Sequence, residues 1–275
     1  MPDTDRFPLV PLSDAPITEL RVDRPDGTTI PAVVRRPPGD RPAPVVVFLH
    51  GGLDPLPLDA LKAVAADGWI PNHFLAAGHT VVVPTRRGRF DAEAPDGWRL
   101  DTLAMVDAVR PADGRLAIFG SSGGSDIALE LAGDIQPRAI VAEEPATSVL
   151  TGLLDRPPTS VEDAWPSDPR RLYTPERRRR TRERLDPIAC PVLITLGDQL
   201  LDGVDPTRGV EEILIPELRD LGKSVDVARF PGQSHGFAFA IGTAPEAVPP
   251  ATAVAARDLA ERAEALVRRA FDATI

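Results

Sequence analysis

The chain has 275 residues, 43% of them apolar by type and 26% charged, a composition that supports one large buried core and argues against disorder. Its formal net charge of −10 disfavours nucleic acid as a partner, and its single cysteine, Cys190, rules out an internal disulfide. The opening MPDTDRFPLVPLSD lacks a basic start and an apolar run, and no stretch approaches the roughly 20 uninterrupted apolar residues of a membrane helix, so no membrane contact and a cytoplasmic location are expected.

Taken in chain order, ITELRVDRPDGTTIPAVVRRP reads as two strands around a turn supplied by Asp26-Gly27. After the loop PPGDRPAP, the run PVVVFLH suits a central strand buried on both faces. Strand and helix patterns then alternate: helix over 69–77, strand HTVVVP, helix over 98–109, strand RLAIFG, helix over 124–132, strand RAIVAEE. After a long interruption come strand PVLITLG, helix over 211–221, strand KSVDVARF and an alanine-rich amphipathic helix over 253–271. This order predicts an α/β protein, a mostly parallel sheet flanked by helices, in a single domain over 1–275. Cys190, in IACPVLITL, is expected as a buried structural thiol.

The interruption, residues 145–187, breaks the short-loop rhythm of such folds and is rich in proline and arginine. It is expected to form a small cap or lid beside the site, with Trp165 and Tyr173 as pocket residues; a surface excursion is the alternative. Its run RRRRTRER suits a solvated helical face paired with carboxylates better than a nucleic-acid patch.

The chemistry concentrates at LAIFGSSGGSDIALELA, where Gly120-Ser121-Ser122-Gly123-Gly124 fits G-x-S-x-G between a strand and a helix. A sharp turn there places the central side chain, Ser122, at its apex, with the Gly123 N–H and the helix N-terminus facing a reacting carbonyl. Ser121 is the local rival. A serine hydroxyl needs a base, and of the four histidines His235, in a glycine-containing loop after a strand, is the one expected to reach it. His50 ends VVVFLH before Gly51-Gly52 and is read as organising a loop whose Gly52 or Leu53 N–H joins the oxyanion hole; it is also a pocket candidate. His73 and His79 are expected to be structural, and no histidine pair has zinc spacing, so neither metal nor cofactor is expected. The loop Asp198 to Pro206 lies between nucleophile and histidine in chain order. Asp202 is favoured there as the acid that orients His235, with Asp198 and Asp205 as alternatives. Glu143-Glu144 after RAIVA either shape a polar pocket or are solvated loop carboxylates.

Through PVVVFLHGG, IFGSSGGS, CPVLITLGDQLLDGVDP, LRDLGKSVDVARFPG and SHGFAF, the chain resembles the α/β-hydrolase superfamily, and within it the prolyl-oligopeptidase and dienelactone-hydrolase-like branch. The resemblance implies an eight-stranded, largely parallel sheet and a Ser122–His235–Asp202 triad, with Gly51-Gly52 and Gly123 around the oxyanion. Relatives place the acid three residues after the strand-ending glycine, where this chain has Leu200; Asp202 fits with two residues inserted. The expected activity is hydrolysis of a small carboxylic ester or related acyl bond through an acyl-enzyme. A lactonase or thioesterase, an acyltransferase or cyclase, a small peptidase and a non-catalytic binding scaffold are the alternatives. The expected partner is a small acyl substrate; whether the C-terminal helix also forms a homodimer is left open.

Overall fold

The computed structural model describes residues 14–24, 26–39, 42–239 and 248–273. Eight strands make one sheet: β1 (Ile17–Asp23), β2 (Thr29–Arg35), β3 (Val45–Leu49), β4 (Thr80–Pro84), β5 (Leu116–Ser121), β6 (Ala139–Glu143), β7 (Val192–Gly197) and β8 (Val225–Phe230). Their order is β1-β2-β4-β3-β5-β6-β7-β8. β2 runs antiparallel to β1 and β4, whereas every pairing from β4 through β8 is parallel, so the largely parallel expectation holds with a mixed edge. The opening residues 1–13, where no leader was expected, lie outside the described residues.

The central strands are apolar throughout because both faces are covered. Along β3, Val45, Val47 and Leu49 point into one core with Trp98 and Met105 of the helix Gly97–Val109 and Leu214 and Leu218 of the segment 210–220. Val46 and Phe48 point into the other, against the helices Leu58–Asp67, Trp69–Ala76 and Pro250–Asp272. There Phe48 stacks on Phe119 at 5.1 Å and meets Phe74 edge-on at 5.7 Å, geometries that add to plain area burial. Buried His79 packs edge-on to Phe74 at 5.5 Å, and burial pushes its pKa down to about 4, so it is a neutral core residue. Cys190 is buried as well, its thiol pushed up to about 11.

Leu58–Asp67 is a helix that the proline-rich GGLDPLPLDALK obscures; Pro57 ends up as its N-cap, where a proline does no harm. Segment 145–187 forms three short helices, Val161–Ala164, Pro169–Leu172 and Pro175–Leu185. Ser160, Asp168 and Thr174 cap them through side-chain oxygens, and Pro169 and Pro175 open the second and third. The arginine run lies on the last helix, where Arg178 and Arg182 hold Glu217 at 2.7 and 3.0 Å and Arg179 bridges Glu176 and Glu183. No helix among the described residues is long and apolar enough to cross a membrane.

Candidate active site

The carboxyl ends of β3, β5, β6, β7 and β8 meet at one edge of the sheet, where ligand sites of open α/β sheets form. Ser122 follows β5 with φ 48° and ψ −117°, a strained backbone that a non-glycine residue holds only when its surroundings fix it. Several contacts fix it here. The Ser122 N–H donates to the Glu143 carbonyl at 2.8 Å, and the Ser125 hydroxyl reaches the carbonyls of Gly120 and Glu143 at 2.7 and 2.8 Å. A Cβ on Gly124 would stand 2.1 Å from the Leu49 carbonyl oxygen, so only glycine lets helix Gly123–Glu130 leave the turn this close to β3. Ser121 is buried and donates to Glu143 Oε2 at 2.5 Å, which removes it as a rival nucleophile.

His235 Nε2 lies 3.0 Å from Ser122 Oγ. Burial pushes the ring down to about 4, so at neutral pH it is a free base ready to accept a proton. Its other face meets Trp165 edge-on, 5.1 Å between ring centres.

The carboxylate that faces His235 Nδ1 is not one of the three aspartates but Glu144, at 3.7 Å. Glu144 sits directly after β6 with φ 46°. It is buried, and it accepts Gly197 N–H at 2.7 Å on Oε1 and Gly236 N–H on Oε2. A Cβ on Gly197 would come within 2.6 Å of Glu144 Oε1, so the bare end of β7 makes the space for this carboxyl. Asp202, the expected acid, lies elsewhere: Leu201 and Val204 pair across a tight turn, and Asp202-Gly203 form its exposed tip with φ 48° and 82°. Asp198 accepts Gly232 N–H at 2.6 Å, tying the two loops together, and Asp205 caps Thr207 at 2.9 Å. None of the three forms a hydrogen bond or ion pair with His235 among the described residues.

Gly52 and Leu53, with φ 76° at Gly52, run past the nucleophile turn, and a Cβ on Gly123 would strike the Gly52 carbonyl oxygen at 2.5 Å. The N–H groups of Gly52, Leu53 and Gly123 donate to no acceptor among the described residues, as an oxyanion hole requires. The loop is held from behind by buried Arg86, which donates to His50 Nε2 at 2.8 Å and to the Gly52 carbonyl at 2.8 Å, while His50 Nδ1 lies 2.7 Å from the Gly51 carbonyl. Burial and this guanidinium push His50 down to about 3, leaving it neutral, with Nδ1–H as donor and Nε2 as acceptor. His50 stands behind the loop, bonded to Arg86 and to the Gly51 carbonyl, rather than in the pocket.

A cavity of about 870 Å³ opens over Ser122 and Gly123. Gly52 to Pro55 and Arg86 to Gly88 form one side; Ala146, Val149, Leu154, Val161 and Trp165 of segment 145–187 form much of the other. Tyr173 is not among its lining residues and instead C-caps the helix Pro169–Leu172. Buried Asp126, one turn past Ser122, accepts Thr147 N–H at 3.0 Å and so fastens the root of that wall to the nucleophile helix.

No family model matches the chain. Among curated proteins, an ethyl acetate hydrolase of Pseudomonas putida is 26% identical over 247 residues, covering 80% of this chain and 75% of the relative. The solved structure of esterase Est22 superposes with a TM-score of 0.64 at 18% identity, covering 94% of this chain and 82% of that one. The chain has the α/β-hydrolase fold. Puromycin hydrolase is a further neighbour, TM-score 0.66 at 19% identity over 97% of this chain and 41% of that chain. Ser122 stands at the turn between β5 and the helix Gly123–Glu130, facing His235.

Two contributors to the candidate site escape a reading by motif. Arg86 is an arginine in the loop after a buried strand, with nothing in TRRGRF to single it out from Arg87 and Arg89. Glu144 does carry a signal, since a carboxylate pair ending an apolar parallel strand sits at the edge where sites assemble. Replacing Arg86 with glutamine should leave the Gly52 carbonyl without its donor. Expected are a loss of about 1–3 kcal/mol in denaturant unfolding and a fall in kcat of roughly 10-fold or more on an ester substrate.

Proposed function

We propose that the protein is an esterase of small acyl substrates, with Ser122 as nucleophile, His235 as general base and Glu144 as the acid that orients His235. The observation that carries this reading is the 3.0 Å approach of His235 Nε2 to Ser122 Oγ on a strained turn open to a cavity. His235 takes the hydroxyl proton as Ser122 Oγ attacks the ester carbonyl, and Gly123 with Gly52 or Leu53 receives the oxyanion. His235 then protonates the leaving alkoxide as the C–O bond breaks. Water, deprotonated by the same imidazole, releases the acid. Glu144 stabilises the imidazolium formed in each half-reaction; its 3.7 Å contact with Nδ1 is of the kind that tightens in the substrate complex.

Segment 145–187 acts as the cap in this reading, its apolar residues meeting the acyl or alcohol group of the substrate. The named relative that hydrolyses ethyl acetate supports an ester over a peptide. The test is labelling by a fluorophosphonate together with turnover on short aryl esters, lactones, acyl thioesters and aminoacyl amides. Short esters are expected to be turned over fastest; a folded chain that takes no label would leave only the binding-scaffold reading.

Catalysis needs neutral His235, and burial lowers its pKa, so the base form persists below the usual histidine range. The acidic limb of kcat/KM should therefore fall below the ordinary histidine value of about 6.5. A limb at the ordinary histidine value would mean that the ring is solvated in the working enzyme.

A further inference from the structure

Glu144 does not stand alone. Glu143, the last residue of β6, is fully buried beside it, and its Oε1 has no hydrogen-bond partner among the described residues. Consecutive strand residues point to opposite faces, but the left-handed backbone at Glu144 breaks that alternation at the strand end. We propose that Glu143 and Glu144 share a single proton, carried by Glu143, and that Glu143 is thereby a positioning residue which keeps Glu144 as the one buried anion behind His235. The inference rests on the reading of Glu144 as the orienting acid.

Charge and hydrogen bonding both lead there. Around the pair are Ser121 on β5, Thr195 and Gly197 on β7, and Gln233, His235 and Gly236 after β8. Of these only His235 carries a titratable side chain, and no arginine or lysine acts on either carboxyl among the described residues. Two buried negative charges in contact without a cation are strongly disfavoured, so one proton stays. The donors decide where. Glu144 has two backbone N–H groups and faces the Nδ1 side of His235, whereas Glu143 receives one hydroxyl, from Ser121, and its Oε1 is buried with no donor. A buried acceptor without a donor is costly, but the same oxygen bearing a proton becomes the donor that Glu144 can accept. Burial raises both carboxyls and repulsion from Glu143 raises Glu144 further, so the pair retains a proton at neutral pH; its placement on Glu143 follows from the donors alone.

A carboxyl that keeps its proton when folded but loses it when unfolded makes the native state the greater proton binder. Stability then declines as pH rises from the ordinary carboxylate range through the raised range of the pair. The experiment compares wild type, Glu143→Gln and Glu144→Gln by ester turnover and by thermal unfolding from about pH 5 to about pH 9, with infrared spectra of 13C-glutamate-labelled protein at about pH 8. Glutamine mimics the neutral acid and can donate to Glu144. Glu143→Gln should therefore keep kcat within about fivefold of wild type, and its Tm should rise relative to wild type as pH increases. The labelled carboxylic-acid carbonyl band seen in wild type should disappear from it.

A parallel pH dependence of Tm, or a Glu143→Gln variant as inactive as Glu144→Gln, would overturn the proposal. So would absence of the acid band from intact wild type, which needs no variant to fold. Full activity in Glu144→Gln would instead remove Glu144 as the orienting acid, with the band and the Tm comparison still deciding where the proton lies.

Discussion

Replacing Ser122 with alanine should abolish fluorophosphonate labelling and lower kcat on a short ester by on the order of 10⁴–10⁶-fold, with the fold intact. The size of the effect follows from the roles. The hydroxyl is the only atom that bonds to the acyl group, and the residual rate is what the oxyanion donors and the cavity supply without it. The fold should survive because the turn is held by the Ser122 N–H, by Ser125 and by the close glycine packing, none of which uses Ser122 Oγ. Alanine also fits the space, though not the backbone, more comfortably than any larger residue, so the strain at φ 48° is neither relieved nor worsened greatly. His235→Ala should match Ser122→Ala in kcat, and the double variant should be no worse than either, since the two act as one unit. A Ser122→Ala enzyme with full turnover would place the chemistry elsewhere.

The second large effect concerns the acid. Glu144→Gln should lower kcat by on the order of 10³–10⁴-fold with KM little changed, whereas Asp202→Asn should stay within about twofold of wild type. The carboxylate accepts an N–H on each oxygen, from Gly197 and Gly236, and Oε2 also faces the imidazole. A glutamine must turn its NH2 toward one of those donors, which costs about 1–3 kcal/mol and removes the acceptor that fixes the His235 tautomer. Asp202 stands at an exposed turn tip, where the amide changes nothing that His235 feels. The opposite ranking in steady-state kinetics would restore Asp202 as the acid.

The strands and the turn that presents Ser122 to His235 were legible because each rests on local chemistry. Valine-rich runs such as VVVFL have one stable use, as strands covered on both sides, and G-x-S-x-G between strand and helix specifies its turn within five residues. The carboxylate that faces His235 was not legible, because it depends on which of several strand-end carboxylates the loops bring to one imidazole, a tertiary outcome. Even so, Leu201-Asp202-Gly203-Val204 contains the Asp-Gly pair of a tight two-residue turn, and that local signal opposes an inward-facing Asp202. The Ser, Asp, His chain order of the fold points the other way. Helix Leu58–Asp67 was hidden by prolines that lie before its first turn, and Arg86 by lying in a loop whose partners are backbone carbonyls 34 and 36 residues away.

The division of the cavity between sheet-edge loops and residues 146–165 separates two kinds of change in an evolving population. Reactive atoms are carried by strand ends that the core dictates, while Val149, Leu154 and Val161 contribute shape alone. Random diversification confined to those three codons should yield libraries that retain expression and burst-phase acylation yet diverge in chain-length preference, so new specificities are reachable without crossing an inactive intermediate.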